Sequence, residues 1–327
     1  MKAIDSGSLE SPRPIELVLP ATSANLGPAF DTAAIALRLH LRLRASVAAS
    51  LRVHASGRDS HICGAMENNL LLETYRGIFA ELNRPAPPIQ IEMENEIPIG
   101  KGLGSSAAAR LAATVLAAHF GDLPWSDLEI LHEASRRENH ADNVAACWLG
   151  GFVIVQTNAA AASNLHPVQL DAADWPLLVA VADGSLATEQ SRAVIPEHYS
   201  RADAVTNIQN AMLLATALVQ GRTDLLQAAL RDRMHEPYRS PLCPLLQPLR
   251  ELAGSDGILG VVLSGAGPSV LMWLDPVHDV QAIRERVGSA LAAQGMNAEL
   301  ILTKIEPMGA AQSRRVSVPI TSILSEG

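Results

Sequence analysis

The sequence is best approached from the stretch Ile97-Pro98-Ile99-Gly100-Lys101-Gly102-Leu103-Gly104-Ser105-Ser106-Ala107-Ala108-Ala109. Apolar and polar residues alternate over 89–94 just before it, which predicts a half-buried strand. Residues 107–120 after it are rich in alanine and leucine, and the preceding serines are good N-caps, so a helix is predicted to begin there. Three glycines at alternate positions let the backbone turn sharply and approach a ligand closely. Backbone N–H groups and the positive end of the helix would face that ligand, so the stretch predicts an anion site, with a nucleotide phosphate as the expected anion.

Two familiar phosphate motifs do not match this stretch. A Walker A loop requires Gly-Lys-Ser/Thr after a four-residue spacer, and the dinucleotide fingerprint places its third glycine later. A glycine-rich turn before an alanine-rich helix can also be a purely structural connection. The stretch alone therefore leaves two interpretations open, a phosphate site and a structural turn.

Composition limits the classes of protein that need to be considered. The 327 residues suit two domains of ordinary size or one large domain, and 48% hydrophobic content supplies ample core. A net charge of −9 argues against a nucleic-acid surface. Three widely separated cysteines lack metal-ligand spacing and favour a reducing cytoplasm. Residues 1–14 do not resemble a signal peptide, and no stretch approaches the ~20 apolar residues of a membrane helix.

Periodicity predicts a mixture of strands and helices without a strict βαβ rhythm, which favours an α+β fold. A functional loop is predicted over 20–31, and a loose segment over 158–174 predicts the end of a first domain. The predicted strands are 15–19, 34–44, 51–53, 89–94, 152–156, 175–183, 258–263, 270–274 and 299–303. The predicted helices are 69–83, 107–120, 126–137, 200–219, 223–232, 245–252 and 280–294.

Five further motifs accompany the glycine-rich stretch. They are Pro-Ala-Thr-Ser-Ala-Asn-Leu-Gly-Pro-Ala-Phe-Asp-Thr at 20–32, His-Ala-Asp-Asn-Val-Ala at 140–145, Thr-Glu-Gln-Ser-Arg at 188–192, His-Glu-Pro-Tyr-Arg at 235–239 and Leu-Ser-Gly-Ala-Gly-Pro-Ser at 263–269. Together with the Pro-x-x-x-Gly-Leu-Gly-Ser-Ser-Ala loop, they resemble the homoserine kinase family of the GHMP kinase superfamily. The resemblance extends from about residue 15 to about residue 303.

The resemblance implies an α+β, two-domain GHMP-kinase-like fold. Its N-terminal ATP-binding domain, of the ribosomal-protein-S5-domain-2-like type, would span 15–174, and a C-terminal ferredoxin-like GHMP kinase domain would span 175–307. Flexible tails are expected at 1–14 and 308–327. Family analogy also implies a homodimer.

The implied reaction is phosphorylation of the side-chain hydroxyl of L-homoserine by ATP and Mg²⁺. Magnesium takes hard oxygen ligands, few of them from protein. The resemblance gives Ser106 and Glu138 as metal ligands, with Glu133 as the alternative to Glu138. The implied ATP-binding residues are Asn69, Pro98, Gly100, Lys101, Gly102, Leu103, Gly104, Ser105 and Ser106.

A planar guanidinium matches the homoserine carboxylate bidentately, which suits Arg192 and Arg239. Asp31 would pair with the substrate ammonium. Asn143 would lie near the accepting hydroxyl, and Asp142 is the nearest candidate for a general base. The implied substrate-binding residues are Asn25, Asp31, His140, Asn143, Thr188, Arg192, Arg239 and Gly265.

Three other functions share much of this pattern. The first is a related kinase that acts on a sugar or a mevalonate-like alcohol, and the second is a decarboxylating relative that needs no amine partner. The third is a ligand sensor without catalysis. The paired arginines and the loop that contains Asn25 and Asp31 favour an amino-acid substrate. The presence of Ser106, Glu138 and Asn143 together argues against a sensor.

Overall fold

The computed structural model describes residues 12–157 and 165–316 of the chain. The strands are β1 Ile15–Asn25, β2 Ala29–Val47, β3 Arg52–Gly57, β4 Ile89–Asn95, β5 Phe152–Thr157, β6 Leu165–Leu170, β7 Pro176–Ala182, β8 Ile258–Leu263, β9 Val270–Leu274, β10 Ala298–Lys304 and β11 Arg315–Val316. The helices are α1 Ser60–Cys63, α2 Leu70–Glu81, α3 Ser105–Phe120, α4 Asp127–Glu138, α5 Ala141–Leu149, α6 Thr188–Ala193, α7 Arg201–Gln220, α8 Thr223–Ala229, α9 Glu236–Arg239, α10 Leu246–Arg250, α11 Val280–Ala293 and α12 Ala310–Ser313, with a 3₁₀ turn at Ser240–Leu242.

The first sheet has the order β11-β1-β2-β4-β3, and β5 extends it from β2 with β6 beyond. In β4 the residues Ile89, Ile91 and Met93 are buried while their neighbours are exposed, as the alternation predicts. Helix α3 packs against α2, α4, α5 and β1. Its N-terminus therefore lies beside the turn that joins β1 to β2.

The second sheet has the order β10-β7-β9-β8, and all its pairings are antiparallel. Helices α6–α10 connect β7 to β8, and α11 connects β9 to β10. This β-α-β-β-α-β succession is ferredoxin-like. The two sheets together confirm the predicted α+β fold.

One apolar core joins the first sheet to helices α7 and α8 and to one face of the second sheet. Alanines fill much of it: α3 buries Ala107, Ala108, Ala112, Ala113 and Ala117. Small side chains let α3 approach its neighbours closely, which fixes the position of its N-terminus.

The predicted loop over 20–31 is wrong in extent. Strand β1 continues to Asn25 and β2 begins at Ala29, so the turn itself is short. Pro20 is tolerated inside β1 because the register with β2 shifts immediately after it, where a missing N–H costs little. Asn25 and Leu26 adopt positive φ values of 70° and 46°, which reverse the chain.

Other local predictions also differ from the structure. Helix α5 lies outside the predicted helices, and β6 lies in the segment predicted to be loose. Residues 308–316 do not form the predicted tail: α12 and β11 lie here, β11 pairs with β1, and the Ser313 hydroxyl donates to the Val18 carbonyl at 2.8 Å. Residues 1–11 and 317–327 of the predicted tails lie outside the described residues. The domain bounds at 174 and 175 remain a prediction; they fall between β6 and β7.

Within residues 12–157 and 165–316, no helix is both long and apolar enough to cross a membrane.

Candidate active site

A cavity of about 450 Å³ lies where the two sheets' connecting segments meet. The first half of the chain contributes the β1–β2 turn, the loop before α3 and the start of α5. The second half contributes α6, α9 and the turn between β8 and β9. The motifs singled out in the sequence therefore come together around one chamber.

The glycine-rich loop is held by close backbone packing. A Cβ on Gly102 would lie 2.4 Å from the carbonyl oxygen of Ser264, and one on Gly104 would lie 1.9 Å from the Thr22 hydroxyl oxygen. Both glycines also have positive φ, of 75° and 69°. At these two positions the loop packs directly against β1 and against the turn between β8 and β9.

Helix α3 begins differently from the prediction of a serine N-cap. Gly104 is the N-cap, so Ser105 and Ser106 lie in the first turn with their side chains free for other partners. First-turn N–H groups have no acceptor within the helix, and the helix dipole adds positive potential there. Because both serines and all three loop glycines line the cavity, this end of the chamber suits a phosphate.

Four of the residues predicted to bind ATP do not offer a free side chain to the cavity. Pro98 and Leu103 are buried outside the cavity lining. The Lys101 ammonium donates to three carbonyl oxygens, those of residues 182, 183 and 184, at 2.7, 2.5 and 2.8 Å. Asn69 lines the cavity, but its amide caps α2 and also donates to two carbonyls of the preceding turn.

The structure brings Glu138, and not Glu133, to Ser106. The Ser106 hydroxyl donates to Glu138 Oε1, and Arg110 Nε lies 2.8 Å from Oε2. Burial raises the pKa of Glu138, although the hydrogen bond from Ser106 and the Arg110 charge oppose the shift. Glu133 instead pairs with Arg136 and Arg137 at 2.8 and 2.5 Å.

The start of α5 presents Asn143 and Asp142 to the cavity. The Thr22 hydroxyl donates to Asn143 Oδ1 at 2.7 Å, and Asp142 Oδ1 accepts from the Asn143 backbone N–H at 2.8 Å. Burial, assisted by the negative charge of Asp31, raises the pKa of Asp142 to about 7. His140, which precedes the helix, has a lowered pKa because burial, and then the Arg192 charge, disfavour its protonated form.

The acid and the two arginines predicted for the substrate lie together. Arg192 NH2 contacts both carboxylate oxygens of Asp31, at 2.8 and 2.9 Å, and both side chains are about two-fifths exposed. Arg239 is only 2% exposed. Its guanidinium donates to the Ser191 carbonyl at 3.2 Å, and burial lowers its pKa.

Sequence reasoning missed two residues that organise these arginines. The Phe30 ring centre lies 5.6 Å from the Arg192 guanidinium carbon and 5.3 Å from that of Arg239, and the ring stacks on His235. His235 Nε2 donates to the Gly27 carbonyl at 2.8 Å, so Nδ1 is the acceptor for Arg239 NH1 at 3.0 Å. Burial lowers the pKa of His235 to about 4, which keeps its imidazole neutral and able to accept from Arg239. The spacing of His235 and Arg239, four residues apart in one motif, is the signal that links them.

Asn25 and Gly265 join the two halves of the site. Asn25 Nδ2 donates to the Gly265 carbonyl at 2.9 Å, while its Oδ1 accepts from the Asp31 backbone N–H at 3.0 Å. Asn25 therefore orients the β1–β2 turn. Thr188, the first residue of α6, also lines the cavity.

An apolar lobe of the cavity was also missed. It is lined by Leu41, Ile62, Met93 and Ile97, among others. These residues come from β2, α1, β4 and the following segment, so no local pattern connects them. The cavity thus has an apolar lobe, an anion-binding loop and a charged end with one acid and two arginines.

Comparisons with known proteins agree with this geometry. The model of the GHMP kinases N-terminal domain matches residues 69–151, and that of the GHMP kinases C-terminal domain matches residues 214–293. A homoserine kinase from Solibacter usitatus is 40% identical over 293 residues, covering 90% of this chain and 95% of that protein. A homoserine kinase from Deinococcus radiodurans is 36% identical over 298 residues, covering 91% of this chain and 96% of that protein.

The fold is shared with a solved structure as well. The crystal structure of homoserine kinase from Cytophaga hutchinsonii matches with a TM-score of 0.76 at 24% identity, covering 96% of this chain and all of that chain. The family models and the curated relatives together make the chain a kinase that uses ATP. It belongs to the homoserine kinase family of the GHMP kinases.

Proposed function

We propose that this chain transfers the γ-phosphoryl group of ATP to the side-chain hydroxyl of L-homoserine, forming O-phospho-L-homoserine, a step of threonine biosynthesis. The observation that carries the proposal is the placing of an anion-binding loop and an acid with two arginines around one cavity. The loop suits the donor, and the charged end suits an acceptor with both an ammonium and a carboxylate. A sugar or a mevalonate-like alcohol would leave Asp31 without an ammonium partner.

ATP would lie along the glycine-rich loop. The apolar lobe suits the adenine base, because clefts that bind cofactors combine apolar walls with a few polar groups. The N–H groups at the start of α3 would bind the phosphates. Transfer of a phosphoryl group depends mainly on positioning and on neutralising charge, and this loop contributes to both.

Magnesium fits the pair formed by Ser106 and Glu138. Both offer hard oxygen atoms, and a magnesium ion that is bound with a nucleotide needs few protein ligands. The Glu138 carboxylate is already held next to the Ser106 hydroxyl, with the Arg110 guanidinium on its other oxygen. When bound, the ion would neutralise charge on the β- and γ-phosphates.

The substrate would lie between the β1–β2 turn and helices α6 and α9. Arg239 and Arg192 would bind the carboxylate, and Asp31 would accept the ammonium. Asn143 would then contact the accepting hydroxyl. The remaining contacts that we propose are His140, Thr188 and Gly265, which line the same part of the cavity.

Asp142 is the residue that we propose as acceptor of the hydroxyl proton. It is 2% exposed and lines the cavity beside Asn143. Its pKa of about 7 lies in the range that suits a general base at neutral pH. The proton would pass to the Asp142 carboxylate as the hydroxyl oxygen bonds to the γ-phosphorus and the bond from that phosphorus to the β,γ-bridging oxygen breaks, releasing ADP.

We also propose a cytoplasmic homodimer. A dimer is implied by family analogy, and an exposed apolar face on α7, with Ile208 64% and Met212 69% exposed, supports it. Sedimentation equilibrium of the wild type and of Ile208→Glu would test this. A wild-type monomer across the micromolar range would contradict it.

The test of the main proposal is ADP release from Mg-ATP with L-homoserine, L-serine, mevalonate and galactose as acceptors. We expect efficient turnover with L-homoserine alone. Turnover with mevalonate or galactose instead would show that Asp31 and the arginines have other roles.

A further inference from the structure

Thr22 connects two parts of the site without lining the cavity itself. Its side chain is fully buried, and it stands on β1 between the glycine-rich loop and the start of α5. The backbone N–H of Thr22 donates to the Leu103 carbonyl at 3.1 Å. Its hydroxyl donates to Asn143 Oδ1 at 2.7 Å.

The hydroxyl also shapes the loop. It occupies the space beside Gly104 where any other residue would place a Cβ, since the two positions are only 1.9 Å apart. The left-handed φ of 69° at Gly104 starts helix α3 at this point. Thr22 therefore contacts the N-cap of the phosphate-binding helix on one side and Asn143 on the other.

The direction of the hydrogen bond defines the amide of Asn143. Because the Thr22 hydroxyl donates, Oδ1 of Asn143 faces Thr22, and Nδ2 is left for the cavity and for Asp142 Oδ1 at 3.3 Å. A donor amide N–H, and not a carbonyl oxygen, is thus presented next to the position proposed for the acceptor hydroxyl oxygen. Without the threonine hydroxyl, the amide would lose its short bond at Oδ1 and keep the longer contact between Nδ2 and Asp142 Oδ1.

We propose that Thr22 is a positioning residue that sets the orientation of Asn143 and its distance from the phosphate loop. This inference rests on the proposed function, in which Asn143 contacts the accepting hydroxyl. Phosphoryl transfer requires the donor and the acceptor oxygen to be in line, and small misplacements of reacting groups lower rates steeply. Thr22 acts through Asn143 and touches neither substrate.

The test uses three substitutions at this position and one matched control. Thr22→Val removes the hydroxyl at almost constant shape, Thr22→Ser keeps it, and Thr22→Ala avoids crowding if the valine variant does not fold. Thr114→Val is the control, because Thr114 is also fully buried but its hydroxyl only donates to the Arg110 carbonyl within α3. Steady-state kcat and KM for both substrates are measured, together with the melting temperature.

We expect Thr22→Val to lower kcat about 10- to 100-fold, with KM for L-homoserine and ATP within about twofold of the wild-type values. Thr22→Ser should restore most of the rate. Thr114→Val should leave kcat unchanged, even if it melts at a lower temperature. Thr22→Ala should resemble the valine variant in kcat.

Several results would overturn the inference. One is a folded Thr22→Val, or Thr22→Ala, with wild-type kcat; another is a Thr22→Ser variant that is as slow as the valine variant. Asn143→Ala separates this inference from the proposed function. If Asn143→Ala is fully active, the role of Asn143 is wrong; if it is slow while Thr22→Val is normal, only the role of Thr22 is wrong.

Discussion

Replacing Arg239 with methionine tests how the proposed substrate is recognised. Methionine retains much of the apolar volume but removes the guanidinium of a residue that is only 2% exposed. Because solvent barely reaches this group, screening is small, and a lost charge-assisted pair with a carboxylate corresponds to about 2–3 kcal/mol. At about 1.4 kcal/mol per factor of ten, KM for L-homoserine should rise about 30- to 150-fold.

The assay pairs this variant with a truncated substrate. 3-Amino-1-propanol is homoserine without its carboxylate, so the wild-type enzyme should use it poorly. In Arg239→Met, kcat/KM for L-homoserine should fall by about 30- to 150-fold. The kcat/KM for the amino alcohol should change little. The KM for ATP should stay the same, since the nucleotide loop lies elsewhere in the cavity.

A matched control is available in Arg192. This side chain is 44% exposed and bonded to Asp31, so solvent screening should limit the rise in KM for Arg192→Met to about tenfold. The reasoning is refuted if Arg239→Met leaves KM for L-homoserine unchanged. It is equally refuted if the variant loses the same factor with both acceptors, because the loss would then not involve the carboxylate.

Three further predictions concern the metal, the base and the loop. Glu138→Gln should lower kcat and raise the Mg²⁺ concentration needed for half-maximal rate, whereas Glu133→Gln should leave the Mg²⁺ titration unchanged; equal effects would contradict the assignment. The rate should fall below an apparent pKa near 7 in the wild type, and Asp142→Asn should be slow and lack this limb in a pH–kcat profile. The pKa of Asp142 is higher in the folded than in the unfolded protein, so the stability that its protonated form contributes is present at low pH and is lost as the pH rises through about 7. Urea denaturation should therefore show Asp142→Asn to be more stable relative to the wild type at pH 8 than it is at pH 5. Gly104→Ala should abolish ATP binding or folding, as its Cβ would lie 1.9 Å from a buried hydroxyl; a normal melting temperature with normal ATP titration would contradict this.

The fold was predictable wherever short-range patterns decide structure. Strand β4 follows its alternation, and helix α4, predicted over 126–137, begins with a capping box in which Ser126 and Glu129 bond reciprocally. The position at which α3 begins was predicted, but the residue that caps it was not. Its cap is Gly104, because a contact with β1, more than 80 residues earlier, leaves no space for a side chain.

For the candidate site, the motifs predicted the types of residue but not the contacts between them. The resemblance implies Glu138 or Glu133 as the partner of Ser106, and in the structure the Ser106 hydroxyl donates to Glu138. Residues 133 and 138 are five apart and so lie about 140° apart around a helix of 3.6 residues per turn, which places them on different faces. The sequence does not state which face meets α3.

The contacts around Arg239 could not be predicted from the sequence for a similar reason. His235 bonds to Gly27, 208 residues away along the chain, and Phe30 lies between two arginines from the other half of the protein. Such contacts arise from how the two sheets meet. No periodicity or spacing reports them.

The ion pair between Asp31 and Arg192 has a consequence for selectivity. With no ligand bound, Asp31 and Arg192 neutralise each other's charge. A zwitterion that enters as proposed exchanges this single pair for two new ones, ammonium to acid and carboxylate to guanidinium, and leaves the total charge of the pocket unchanged. A molecule with only one of the two charges would separate the pair and leave one member without a counterion in a partly dry cleft. A neutral alcohol would form no ion pair in place of the one between Asp31 and Arg192, so we expect the pocket to discriminate against neutral alcohols by charge.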